Sequence, residues 1–379
     1  MKVALICTES LPAPAVKGGA IQMFIDGITP FLKEKYQLTI YSISDPNLKN
    51  YSAENGTEYI HFPKESYETN VADHLKRRRY DVIHVFNRPA NLQLYYNSSP
   101  WSRFVLGLHN DMMAVEKISN EEGAEVVRLV SRIVTISYFI KQRVIERFPE
   151  AAGKTTVVYS GVDLSKFPLR KSETGIEIRS EYRRRYEVEN KKVILFVGRL
   201  SRNKGAHLLV DAMKTLVKKH PNLVLMIVGG KWFSDDGMNS YTRDLYRQAR
   251  SLRNHVIFTR FVPADVIGNM FLMGDIFVCP SQWEEPLARV HYEAMAAGIP
   301  IVTTNRGGNG EVILHGQNGY LIDDYTKPEA FIEGIEYYLQ APSLTSYITE
   351  NGRRFVEANF QFKNAARRVT DVYDSLNRT

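Results

Sequence analysis

Residues 280–308, PSQWEEPLARVHYEAMAAGIPIVTTNRGG, decide the architecture. The run DIFVC at 275–279, just before them, has the length and composition of a strand buried on both faces, as in a parallel sheet, and Pro280-Ser281 ends it. A helix is predicted next. Pro286 suits a first helical position, where a missing N–H costs nothing, and Gly298-Ile299-Pro300 closes the helix before a second strand at 301–304. Glu285 then stands at the mouth of the helix. Glu293 follows eight residues later, about two and a quarter turns on, so both carboxylates are predicted to face one side. The backbone N–H groups of Leu287, Ala288 and Arg289 are expected to point outward there, a ready site for phosphate or sugar oxygens, with the carboxylates accepting hydroxyl hydrogens. Two glutamates at that spacing are also what a solvated helix face carries, so the pair decides nothing alone.

The alternation of strands and helical patterns continues in both directions. Residues 2–8 read as a compact strand, and 38–43, 59–62, 81–86, 103–108, 133–136 and 155–159 as further ones, which argues for a parallel α/β sheet. After the first strand, Gly18-Gly19 precede a helical pattern at 21–33, where a Rossmann-like half brings backbone close to a phosphate; a lone Gly-Gly is equally a flexible turn. His109-Asn110-Asp111 follows a strand end, where doubly wound sheets hold ligands. The histidine suits a sugar hydroxyl and equally a structural cap. Ser160-Gly161-Val162-Asp163 reads as a structural turn. The domains expected are 1–168 and 193–362, joined by a charged connection at 169–192 with few strand signals. Beyond it the strand at 193–197 leads into GRLSRNKG at 198–205. There Arg199 and Lys204 stand five apart ahead of a helical pattern at 207–218, a cationic pocket beside a helix N-terminus.

Together these residues resemble glycosyltransferase family 4, retaining enzymes of the GT-B fold. Glu285 and Glu293 match its E-x7-E, residues 293–300 its EAMA-x-G-x-P block, Gly307, Gly308 and Glu311 its GG-x-x-E, and residues 198–205 its GR-x4-KG. The resemblance implies two Rossmann-like domains facing each other across a nucleotide-sugar cleft, with a last helix at about 363–379 crossing back to the first domain. It also implies metal-independent transfer with retention. Arg199 and Lys204 would grip the donor diphosphate, Glu293 the ribose hydroxyls and Glu285 those of the donor sugar. His109 would contact the sugar near the reacting carbon, and Gly18-Gly19 would lie beside the diphosphate. The backbone at Leu287, Ala288 and Arg289 completes the donor site, and Arg260-Phe261, after the strand at 256–258, forms the base-reading loop. Arg260 stands where the family usually has glycine, and Leu287-Ala288 where Phe-Gly is common. Arg289-Val290-His291-Tyr292 replaces a more aliphatic run, a variant similar to glycosyltransferases associated with the spore coat of endospore-forming bacteria. No cofactor is expected beyond the donor, a UDP-sugar ahead of a GDP- or ADP-sugar. The acceptor is a glycan, lipid-linked or protein hydroxyl.

A chain of 379 residues suits two domains, and 44% apolar with 24% charged residues is ordinary for a soluble globular protein. A net charge of +7 invites a nucleic-acid reading, but residues 1–168 hold 20 Lys+Arg against 18 Asp+Glu and residues 193–379 hold 21 against 19, so neither half is strongly basic and duplex binding is disfavoured. The local clusters Lys76-Arg77-Arg78-Arg79 and Arg183-Arg184-Arg185 read as solvated helix faces or as contacts to an anionic lipid or polymer. Cys7 and Cys279 fall on predicted strands in different halves, which speaks against a disulfide. No run approaches the ~20 apolar residues of a membrane span. A cytoplasmic monomer or homodimer is expected, with peripheral membrane or spore-coat association open through the amphipathic segment YFIKQRVIERF at 138–148. Asp235-Asp236 and Asp323-Asp324 read as loop acids and no metal site is expected. Three other classes compete. An oxidoreductase is disfavoured because no G-x-G-x-x-G follows the first strand; a nucleotide-sugar epimerase and a coat protein of the same fold without activity stay open.

Overall fold

Parallel strands need both faces covered, and β1 (Lys2–Ile6) shows how the sequence supplies this: Val3 and Leu5 enter one core, Ala4 and Ile6 the other. The computed structural model describes residues 1–230, 237–263 and 265–376, so Asp235-Asp236 lie outside the described residues. It divides into two compact units, Met1–Gly161 with Phe362–Thr379, and Val162–Gln361. In the first unit β2 (Gln37–Ile43), β3 (Tyr51–Glu54), β4 (Thr57–Phe62), β5 (Val82–Phe86), β6 (Arg103–Leu108), β7 (Arg132–Thr135) and β8 (Thr155–Val157) join β1 in the order β3-β4-β2-β1-β5-β6-β7-β8. β3, which lies outside the predicted strands, forms an antiparallel hairpin with β4, expected at 59–62; the other described pairs in this sheet are parallel. The helices Ala20–Leu32 and Phe362–Ser375 pack on one face of the sheet, sharing a core with Val3 and Leu5.

The second unit holds β9 (Lys192–Val197), β10 (Leu223–Val228), β11 (Val256–Arg260), β12 (Ile276–Cys279), β13 (Ile301–Thr304) and β14 (Tyr320–Ile322), ordered β11-β10-β9-β12-β13-β14 and paired in parallel. Residues 169–192, expected as a connection, contain the helix Glu173–Arg185. Its charge faces inward for a physical reason. Arg170, Arg179 and Arg183 converge on the Asp275 carboxylate at 2.8, 2.7 and 3.1 Å, and Arg179 and Arg183 also donate to the carbonyls of Leu272 and Met273 that end the helix Ile267–Met273. Burial alone would raise the Asp275 carboxyl, but the arginines, Arg179 foremost, hold it below the usual carboxylate range. Arg183, from a cluster read as a solvated face, is therefore a buried clamp.

In both sheets chain order reverses beside the first strand. β1 lies between β2 and β5, and β9 between β10 and β12. The crevice outside the C-terminal ends of the strands at such a point is where open α/β sheets bind ligands. No described helix is long and apolar enough to cross a membrane.

Candidate functional site

At the switch point of the second unit, the loops after β9 and β12 are stitched together. The Gln282 N–H donates to the Asn203 carbonyl at 2.8 Å. Gly205, at φ +74, lies so close to the Pro280 carbonyl that a Cβ would sit 1.9 Å from its oxygen, so only glycine fits. This brings the Lys204 ammonium onto Glu285 Oε1, which also accepts the buried Ser281 hydroxyl at 2.6 Å. The Trp283 ring lies 5.6 Å from the Lys204 Nζ. Burial would push the Glu285 carboxyl up, but the Lys204 charge and the bonds from Lys204 and Ser281 hold it below the usual range, so it is ionised at neutral pH. Arg199 is half-buried on the same loop. Burial lowers its pKa and the Glu285 charge works against that, and the guanidinium remains a cation.

The structure corrects where the helix after Glu285 begins. It spans Val290–Ala297, so Pro286 is not its first residue and Glu293 lies in its first turn rather than two turns inside. Tertiary contacts hold residues 285–288 out of the helix. The Gly308 N–H donates to the Glu285 carbonyl at 2.8 Å, and Gly307, at φ +57, packs where a Cβ would be 1.9 Å from that oxygen. Leu287 and Ala288 are buried, and the Ala288 N–H, expected to point outward, donates to Asn309 Oδ1 at 3.3 Å. Glu293 is buried and its carboxyl is raised by that burial, with Arg289, 3.4 Å away, opposing. The two glutamates thus sit in unlike settings, one ionised by a lysine and one desolvated against an arginine.

Arg260 ends β11 at φ +62, the left-handed conformation that glycine takes freely. A register shift puts it opposite Val228, and its carbonyl accepts the Gly229 N–H at 3.0 Å. Its side chain is exposed, and Phe261 beside it is partly buried.

The first unit places Gly18 and Gly19, at φ +76 and +101, ahead of the helix Ala20–Leu32. From that helix Phe24 meets the His109 ring edge-on at 4.9 Å, and Phe86 of β5 lies 5.7 Å from it. The switch point here holds an ion pair that the sequence reading passed over: Arg88, after β5, grips both Glu9 oxygens, after β1, with Nε at 2.9 and 2.7 Å. Burial opposes ionisation of Glu9, but the Arg88 bond and charge hold its carboxyl below the usual range. Ser281, Asn309 and Asn87 were missed as well; the first two lie inside the motif blocks already quoted.

The family model described as Glycosyl transferases group 1 matches residues 178–355, and that described as Glycosyltransferase Family 4 matches residues 54–166. The protein YtcC of Bacillus subtilis (strain 168) is 54% identical over 376 residues, covering 99% of this chain and 92% of that protein. Spore coat protein SA of the same strain is 42% identical over 374 residues, covering 99% of each. Among solved structures, Anabaena HepE in complex with UDP and glucose has a TM-score of 0.80 at 22% identity, covering 99% of this chain and 100% of that one, a likeness of fold. The chain therefore belongs to glycosyltransferase family 4, close to its spore-coat-associated members, and its two Rossmann-like units are those of the GT-B fold.

Proposed function

We propose that this glycosyltransferase moves a sugar from a nucleotide-diphosphate sugar to a hydroxyl acceptor with retention of configuration and without a metal. The observation that carries the reading is the contact of Lys204 with Glu285 across the second switch point, a cation and an ionised acid side by side with Arg199 on the same loop. As the bond from the sugar to the phosphate oxygen breaks, charge grows on the diphosphate. Arg199 and Lys204 meet that charge, and charge-assisted hydrogen bonds contribute about 1.5–3 kcal/mol each. The acceptor oxygen bonds to the anomeric carbon on the face the leaving group departs from, and a phosphate oxygen takes the acceptor's proton. We assign Glu285 to the donor-sugar hydroxyls, Glu293 to the ribose, the backbone at Leu287 and Arg289 to the donor, since the Ala288 N–H is taken by Asn309, and Arg260-Phe261 to the base. In the first unit, His109 is assigned to the reacting sugar and Gly18-Gly19 to the diphosphate.

A uridine nucleotide is favoured by HepE, whose solved complexes hold UDP and UDP-glucose. A cell-surface or spore-coat glycan is the acceptor class favoured by the full-length likeness to Spore coat protein SA. The same likeness favours a second reading, a coat protein of this fold without activity. Thermal unfolding with UDP, GDP and ADP separates the two. A ligand at a hundred times its Kd adds about 2.7 kcal/mol. UDP is expected to raise the midpoint of the wild type and to leave Arg199→Ala unmoved. No shift from any of the three nucleotides overturns the transferase reading in favour of the coat protein.

A further inference from the structure

Asn87 follows β5, is 4% exposed and holds φ +51, a left-handed conformation that asparagine tolerates better than other non-glycine residues. Its N–H continues the sheet by donating to the Gly107 carbonyl at 2.8 Å. Its side chain then bridges to the turn after β6, with Oδ1 accepting the His109 N–H at 2.7 Å and Nδ2 donating to Asn110 Oδ1 at 2.8 Å. The orientation of this amide is forced. A backbone N–H can only donate, so the atom facing His109 is the oxygen, and the nitrogen falls on the Asn110 side. That in turn fixes Asn110 with its oxygen toward Asn87. The Asn87 carbonyl also accepts from Arg88 Nη1 at 2.8 Å, which joins the clamp to the ion pair with Glu9. The His109 backbone is thus held by Asn87 while its ring is held by Phe24 and Phe86.

We propose that Asn87 is the positioning residue for His109, fixing the turn that presents the imidazole to the reacting sugar. The inference rests on the role assigned to His109 above. The backbone geometry makes the side-chain function separable. Asn87→Gly keeps a residue at ease with φ +51 and removes the amide, whereas Asn87→Asp keeps an acceptor for the His109 N–H while replacing the donor to Asn110 by a carboxyl oxygen.

The test measures release of nucleoside diphosphate from UDP-, GDP- and ADP-glucose by the full chain without acceptor, for wild type, Asn87→Gly, Asn87→Asp and His109→Ala. Asn87→Gly is expected to lower kcat by about tenfold to a hundredfold with donor KM within about twofold, since misplacement of a reacting group acts on turnover. Asn87→Asp is expected to recover part of the loss, and His109→Ala to fall at least as far as Asn87→Gly. Wild-type kcat in Asn87→Gly beside a crippled His109→Ala overturns the positioning role alone. No recovery in Asn87→Asp, or a loss of kcat matched by a loss in donor binding, also overturns it, since the residue then only supports the fold. An unimpaired His109→Ala overturns the assignment of His109, and the inference falls with it.

Discussion

Each sheet carries an ion pair across its switch point, and the two pairs lie in different surroundings. In the second unit the Glu285 side chain is 4% exposed and Lys204 21%; in the first, Glu9 is 25% exposed and Arg88 23%. Water can reach the first unit's pair from both partners and screen it, while Glu285 has little access to water and depends on Lys204 and Ser281 to remain charged. Similar chemistry at similar topological positions thus has unequal consequences. Losing one partner strands a buried carboxylate in the second unit but only rehydrates one in the first.

The sharpest way to break this comparison is Lys204→Met. Removing one partner of a buried pair costs about 3–5 kcal/mol, and with Lys204 a fifth exposed a loss of about 2–4 kcal/mol is expected, measured by urea unfolding. Adding Glu285→Gln should restore much of it, because the neutral amide no longer needs the cation. A single variant as stable as wild type would show that solvent screens Glu285 as well as it does Glu9.

A second contrast concerns histidine. Each unit buries one completely: His84 with Nδ1 on the Tyr373 hydroxyl at 2.8 Å, and His291 with Nε2 on Thr303 Oγ1 at 2.9 Å. Burial pushes them down to about 3 and about 4, so both are neutral in the fold. An unfolded imidazole takes up a proton near its ordinary value of about 6.5, and the native ring does not follow until far lower pH. The stability they contribute is therefore present above about pH 6.5 and is lost as pH falls toward the folded values, about 2 kcal/mol per histidine between about pH 7 and pH 5. Urea titrations at those two pH values should show the loss in wild type, and His291→Gln should roughly halve it. An unchanged slope in the variant would mean that His291 takes up its proton in the native state over the same pH range as in the unfolded chain.

Much of this was legible from apolar runs. Strands buried on both faces leave continuous hydrophobic stretches, and those around β1, β5, β6, β9 and β12 mark the sheets directly. The β3–β4 hairpin carries its own unread signal, Asn55-Gly56 at φ +50 and +80 between the paired residues Glu54 and Thr57. What stayed hidden depends on contacts distant in sequence. Pro286 is a sound helix-start signal, yet Gly308 and Asn309 hold residues 285–288 out of the helix. The arginines of residues 170–183 look solvated because nothing nearby in sequence reveals Asp275. Lys204 and Glu285 were each legible through a motif, but their mutual contact needed β9 and β12 to be neighbours.

The smallest effect expected belongs to the first unit's pair. Arg88→Ala removes a bidentate contact with Glu9, but both groups are about a quarter exposed, and pairs reached by solvent contribute about 0.2–1 kcal/mol. Urea unfolding of the variant should therefore differ from wild type by less than about 1 kcal/mol. The difference should shrink further at about 1 M salt, where charges are screened within roughly 3 Å. Glu9 should lose the arginine that keeps its carboxyl low, so the variant's stability should depend less on pH in the acid range, where a carboxylate with a lowered pKa is lost on protonation. A loss of several kcal/mol that salt leaves untouched would break the contrast between the units. It would mean that the Arg88 bond to the Asn87 carbonyl, rather than its charge on Glu9, is what the fold depends on.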